Sequence, residues 1–60
     1  MAKEMLNYEF YDVETDELFF VQEENLEKAK EIANEYFNNP KFLGNVYDDV
    51  SAEMLGYDTY

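Results

Sequence analysis

The stretch NLEKAKEIANEYFN, residues 25–38, decides how this chain folds. At 3.6 residues per turn, Leu26, Ala29, Ile32, Ala33, Tyr36 and Phe37 gather on one side of a helix, and Glu24, Glu27, Glu31 and Glu35 line the other. One face is suited to cover a sheet; the other is a ladder of carboxylates. Asn25 is a good N-cap, and Glu27 falls in the first turn, where the helix dipole favours an anion. Asn38-Asn39-Pro40 ends the helix, because Pro40 has no amide hydrogen and disfavours helix in the residue before it.

Upstream, residues 5–13 alternate as a strand does. Leu6, Tyr8 and Phe10 point one way, and Asn7, Glu9, Tyr11 and Val13 the other. Glu14-Thr15-Asp16-Glu17 is a polar break without the Asn-Gly or Asp-Gly of a tight hairpin, so a four-residue loop is expected. LFFVQ, residues 18–22, reads as a second strand. Downstream, FLGNVYDDV, residues 42–50, reads as a third, with Gly44 marking a bulge. Ser51 is expected to cap one turn, residues 52–55, stopped by Gly56. Residues 1–4 are expected to fray.

The elements run β-β-α-β with a short helical turn. The reading is an α+β domain: a three-stranded antiparallel sheet in the order 2-1-3, with the helix on one face. The second face keeps apolar groups, including Tyr11, Val13 and one of the pairs Leu18/Phe20 or Phe19/Val21. Either the tail bearing Met54, Leu55, Tyr57 and Tyr60 covers it, or a partner does.

Composition narrows the function. Sixty residues make one domain, 1–60, and a chain this short is marginal unaided. It has no Cys and no His, so disulfides, thiolate chemistry and Cys/His zinc sites are excluded. Eleven Phe and Tyr supply the core instead. Fifteen Asp and Glu against four Lys give a formal net charge of −11. Direct nucleic-acid binding is not expected, because affinity for phosphates comes from Lys and Arg. A basic protein surface, such as that of a nucleic-acid-processing enzyme, is the expected partner. No apolar run is long enough to span a membrane, and MAKEMLNYEF lacks a signal-peptide core, which reads as a soluble cytoplasmic protein.

The candidate sites follow from the charges. Glu27, Glu31 and Glu35 rise about 6 Å per step along a helix. Phosphates rise about 3.4 Å per nucleotide along a DNA strand, so the ladder could imitate alternate phosphates. Its plain alternative is a solvated face, which the i,i+4 pair Glu24–Lys28 suits. Asp12, Glu14, Asp16 and Glu17 form an acidic loop. From Asp12, Glu23 falls at position twelve, as in a calcium loop, but Glu17 stands where the turn needs Gly, so weak ion screening is expected there. Asp48, Asp49, Glu53 and Asp58 form a third acidic group; adjacent strand residues point to opposite faces, so Asp48 and Asp49 are no natural dyad. Tyr11, Tyr57 and Tyr60 are candidate interface anchors or core, while Tyr8 and Tyr36 read as core. Ser51, Thr15 and Thr59 have no His to activate them, and no metal, cofactor or catalysis is expected.

In size and charge the chain is similar to small phage- or mobile-element-encoded inhibitors that imitate nucleic acid. The resemblance is one of composition and assigns no residue a role. The leading expectation is an acidic binder occupying a basic site on a partner by charge mimicry. The alternative is a homodimeric structural or adaptor domain paired through the open sheet face, its acidity serving solubility only. Crowded carboxylates are expected to repel one another and raise their pKa values in the folded state.

Overall fold

A computed structural model describes residues 4–60; most of the expected frayed end, residues 1–3, lies outside them. The elements are β1 (Leu6–Asp12), β2 (Glu17–Glu23), α1 (Leu26–Tyr36), β3 (Pro40–Tyr47), α2 (Asp49–Leu55) and β4 (Asp58–Thr59). The domain is α+β, with one four-stranded mixed sheet in the order β3-β1-β2-β4. β1 is antiparallel to both β2 and β3. The expected antiparallel three-stranded sheet is corrected by β4, which lies parallel to β2. Tyr60 N–H donates to Phe20 O at 2.8 Å and Gln22 N–H to Tyr60 O at 2.9 Å. Residues 57–60 carry none of the length or alternation that marks a strand. β2 itself offers the pairing edge.

α1 forms where its apolar spacing places it. Asn25 caps it, its Oδ1 accepting from Lys28 N–H at 2.9 Å. Ala29 and Ala33, both fully buried, let the helix lie close on the sheet. Beneath them Tyr8, Phe10, Phe19 and Val21 form the main core, flanked by Leu6, Leu26, Ile32, Phe37 and Phe42. The helix ends at Tyr36, two residues before the expected stop. Phe37 turns extended, with φ −132°, and its ring stacks on Phe19 at 4.0 Å. Tyr36, expected in the core, is instead 63% exposed. It sits on the last turn, with Tyr60 as its aromatic neighbour at 5.0 Å.

The three consecutive buried residues Phe19, Phe20 and Val21 show that β2 is covered on both faces. Phe20 points away from α1, and Tyr57 at 5.1 Å and Tyr47 at 5.7 Å enclose it. The tail therefore covers part of the second face, through Tyr57 and the buried Ala52. Met54 and Leu55, also expected to cover it, are 84% and 43% exposed, and Tyr60 packs instead on the α1 side, against Phe19 and Phe37.

The loops correct the expected boundaries. The β1–β2 connection is residues 13–16, one earlier than expected, with Asp16 left-handed at φ +59°. Asp tolerates that region better than most residues. β3 begins at Pro40, where a missing amide hydrogen is harmless on an edge strand. Its pairing with β1 shifts between Tyr8 and Phe10, and Gly44 in the shifted stretch has φ +88°, so the expected bulge is present. β3 stops at Tyr47, three residues short of the expected end, because Asp48 caps α2 by accepting from Ser51 N–H at 2.8 Å. Ser51 was expected as that cap. Gly56 closes α2 in the left-handed region, φ +74°.

Candidate functional site

The three acidic groups named from sequence fall on different parts of the fold: α1 and its approach, the β1–β2 hairpin, and α2 with β4. On α1, Glu27, Glu31 and Glu35 are exposed, and their carboxylates accept no hydrogen bond from any described residue. Glu24 is half-buried and ion-paired with Lys28, whose pKa is raised by that bond and by the nearby charge of Glu24. One side of the ladder is thus neutralised within the helix. The rest is open to solvent.

The hairpin acids divide. Glu14, Asp16 and Glu17 are exposed. Tyr11 is half-buried and its hydroxyl donates to Asp16; that bond, with partial burial and the charges of Asp16 and Asp12, raises the phenol pKa. Asp12, expected on the surface, is 1% exposed. Burial alone would raise its pKa, but three donors outweigh it: the Thr15 hydroxyl at 2.8 Å, Thr15 N–H at 3.0 Å and Asn39 N–H at 3.1 Å. The carboxyl is therefore held below its ordinary range. Asp12 joins the hairpin to the start of β3, a folding role that sequence spacing alone could not separate from a surface one. β2 starts at Glu17 and runs through Glu23, so the residues of the calcium-like spacing lie on a hairpin. Among the described residues no group of three His, Cys, Asp or Glu side chains is placed to hold a metal.

The C-terminal acids serve the fold in part. Asp48 is held below the ordinary carboxyl range, first by Ser51 N–H and then by the Ser51 side chain. This and Asp12 run opposite to the shift expected from crowding. Asp49 Oδ1 accepts two amide donors, Asn7 Nδ2 at 3.0 Å and Gln22 Nε2 at 2.9 Å. Asp58 is exposed in β4. Of the candidate anchors, Tyr57 packs on Phe20, and Tyr60 packs edge-on against Phe19 and Phe37 at 5.6 and 5.4 Å. Both serve the core, while Tyr60 remains 38% exposed.

The contacts between α2, β1, β2 and β4 leave a cleft of about 320 Å³, lined by Asn7, Gln22, Asp49, Glu53, Tyr57 and Thr59 among others. Sequence reading missed it. Asn7 and Gln22 are ordinary strand polar residues until α2 folds over them. The alternation placing Asn7 on the face away from the main core was the available clue. Two other polar side chains are buried beside the apolar ones: Asp12 in its turn, and Glu9, 6% exposed, whose Oε1 accepts from Asn45 Nδ2 at 2.8 Å. No helix among the described residues is long and apolar enough to cross a membrane.

No protein-family model, curated protein or solved structure matches this chain.

Proposed function

We propose that this chain is a small acidic binding domain that occupies a basic, nucleic-acid-binding site on a partner protein by charge mimicry. The supporting observation is the outer face of α1. Glu27, Glu31 and Glu35 stand one above another in solvent, with no hydrogen bond to the rest of the fold. A formal charge of −11 on sixty residues adds a long-range field that steers a basic partner toward any exposed acidic surface. Glu14, Asp16, Glu17 and Asp58 extend the same sign over other elements. The reading is of a binder without catalysis, acting as an inhibitor or modulator, in the manner of the phage and mobile-element proteins it resembles in composition.

The test combines competition with replacement. The immobilised domain is challenged with lysate, and the retained proteins are eluted with duplex DNA or RNA. A partner held through its nucleic-acid site is displaced by nucleic acid, and one that carries both at once overturns the proposal. Replacing Glu27, Glu31 and Glu35 together by Gln preserves helix propensity closely and should slow association markedly. Unchanged association would move the surface off α1.

A second reading, a homodimeric structural domain, has its own observation. Val50 and Met54 lie one turn apart on α2 and are 69% and 84% exposed. Sedimentation at low and high salt separates the two, since an apolar dimer survives salt that weakens electrostatic association.

A further inference from the structure

The sheet order β3-β1-β2-β4 leaves β3 and β4 as its two edges. An edge strand offers unpaired N–H and C=O groups to any other chain, and sequences blunt it with Pro, Lys, other charges, bulges or short length. β3 begins with Pro40 and Lys41, and its pairing with β1 shifts in the stretch that holds Gly44. β4 is two residues long, and one of them is the exposed Asp58. Both edges are therefore poor templates for a further strand.

β2 has none of these features along its centre. It runs for seven residues, and LFFVQ, residues 18–22, contains no charge, Pro or Gly. High β-propensity without charge or Pro is the pattern of segments that pair with copies of themselves. One side of β2 is paired with β1 from end to end. On the other side, Phe20 O accepts from Tyr60 N–H at 2.8 Å, and Gln22 N–H donates to Tyr60 O at 2.9 Å. Residues 57–60 thus take up backbone groups that would otherwise lie on an open edge.

Two rings hold these residues in place. Tyr57 and Tyr60 are three positions apart, an odd spacing that puts them on opposite faces of an extended chain. Tyr57 lies on Phe20 at 5.1 Å, and Tyr60 stands edge-on to Phe19 and Phe37 at 5.6 and 5.4 Å. Phe19 and Phe20 face opposite sides of the sheet, so the two tyrosines straddle β2. Gly56, left-handed at φ +74°, turns the chain from α2 into this path.

We propose that residues 57–60 are a strap that keeps β2 from pairing edge to edge with β2 of a second copy. The strap pairs at two exposed residues, against seven in the β1–β2 ladder, so it opens locally while the rest stays folded. A second copy is the occupant because, in a chain of charge −11, the uncharged LFFVQ is where two copies repel least and match in sequence. An antiparallel pair centred on Phe20 sets Leu18 opposite Gln22 and Glu17 opposite Glu23. The two Glu–Glu pairs resist this contact at low salt and are screened at high salt. Neither the outer face of α1 nor Val50 and Met54 of α2 takes part.

The test has two arms, both on the full chain. Hydrogen exchange followed by NMR compares the amides of Gln22 and Tyr60, on the strap side, with those of Phe19 and Val21, which alternate toward β1. The first pair should exchange at least tenfold faster. Equal protection would mean that the strap opens only with the whole fold, and overturns the proposal. In the second arm, Tyr60→Ala removes the ring from Phe19 and Phe37. It should raise the open fraction, and with it the apparent self-affinity at high salt, about tenfold over the parent by sedimentation. Adding Leu18→Lys, a charge on the β2 edge, should return self-affinity to the parent level. A Tyr60→Ala protein that associates no more than the parent, or whose association survives Leu18→Lys, overturns the proposal. Should Tyr60→Ala not fold, the exchange rates in the parent decide.

Discussion

Truncating Phe20 to Ala tests the architecture at the point where it exceeds a three-stranded sheet with one covered face. Phe20 has no exposed surface, and its ring lies between Tyr57 at 5.1 Å and Tyr47 at 5.7 Å. Removing a fully buried Phe side chain costs about 3–5 kcal/mol, from lost transfer free energy and the cavity left behind. A sixty-residue domain at roughly 0.05–0.15 kcal/mol per residue has about 3–9 kcal/mol in total. Phe20→Ala should therefore remove from about a third to all of the stability and lower the melting temperature by more than about 10 °C. Phe20→Leu, which keeps most of the volume, should cost about 1–1.5 kcal/mol. At about 4–8 °C per kcal/mol for a domain of this size, that lowers Tm by about 4–12 °C. Thermal melts and urea titrations followed by far-ultraviolet circular dichroism read both variants. Tyr57→Ala completes a double-mutant cycle, with a coupling of about 0.5–1.5 kcal/mol expected for the aromatic pair. A Phe20→Ala protein that melts within about 2 °C of the parent would refute the reasoning, because it would mean that α2 and the tail do not cover this face.

Two further outcomes follow from the same packing and charges. Ala33→Asp should unfold the domain, since Ala33 is fully buried under the sheet-facing side of α1, whereas Ile32→Asp, at a half-buried position, should melt lower but still cooperatively; equal melting of both by circular dichroism would mean the helix is rotated. Asp12 and Asp48 have folded pKa values below their unfolded ones, so they bind protons less readily when folded; the stability they contribute is present above the unfolded carboxyl pKa and is lost as pH falls through and below it, and urea titrations from neutral to acid pH should show a slope that Asp12→Asn and Asp48→Asn each flatten.

Local pattern carried much of the fold because β1 and α1 each announce their own period, while β2 and β3 show in their β-rich composition. The 3.6-residue spacing of Leu26, Ala29, Ile32 and Ala33 places α1, and the alternation of Leu6, Tyr8 and Phe10 assigns the helix-facing side of β1. Gly44 and Gly56 mark positions where the backbone takes positive φ, and their surroundings make that need visible in the sequence. The errors lie where two neighbours compete for one role. Asp48 and Ser51 are both good caps, and the choice of Asp48 turned the end of an expected strand into the first turn of a helix. Among the acids, the α1 ladder was legible because helical periodicity fixes its exposure, while Asp12 was not, because burial of a carboxylate depends on donors arriving from Thr15 and Asn39.

By itself the sequence determined the α+β class, the helix and its two faces, and the excess of negative charge. These follow from side-chain period and formal charge, which are local or additive quantities. Tertiary structure alone decided that residues 58–59 pair with β2, that Phe20 is enclosed by Tyr47 and Tyr57, and that Asn7, Gln22 and Asp49 meet. Asn7 and Asp49 are 42 residues apart in the chain. Contacts over such separations depend on which edges and faces the rest of the fold leaves open, and no local period encodes that.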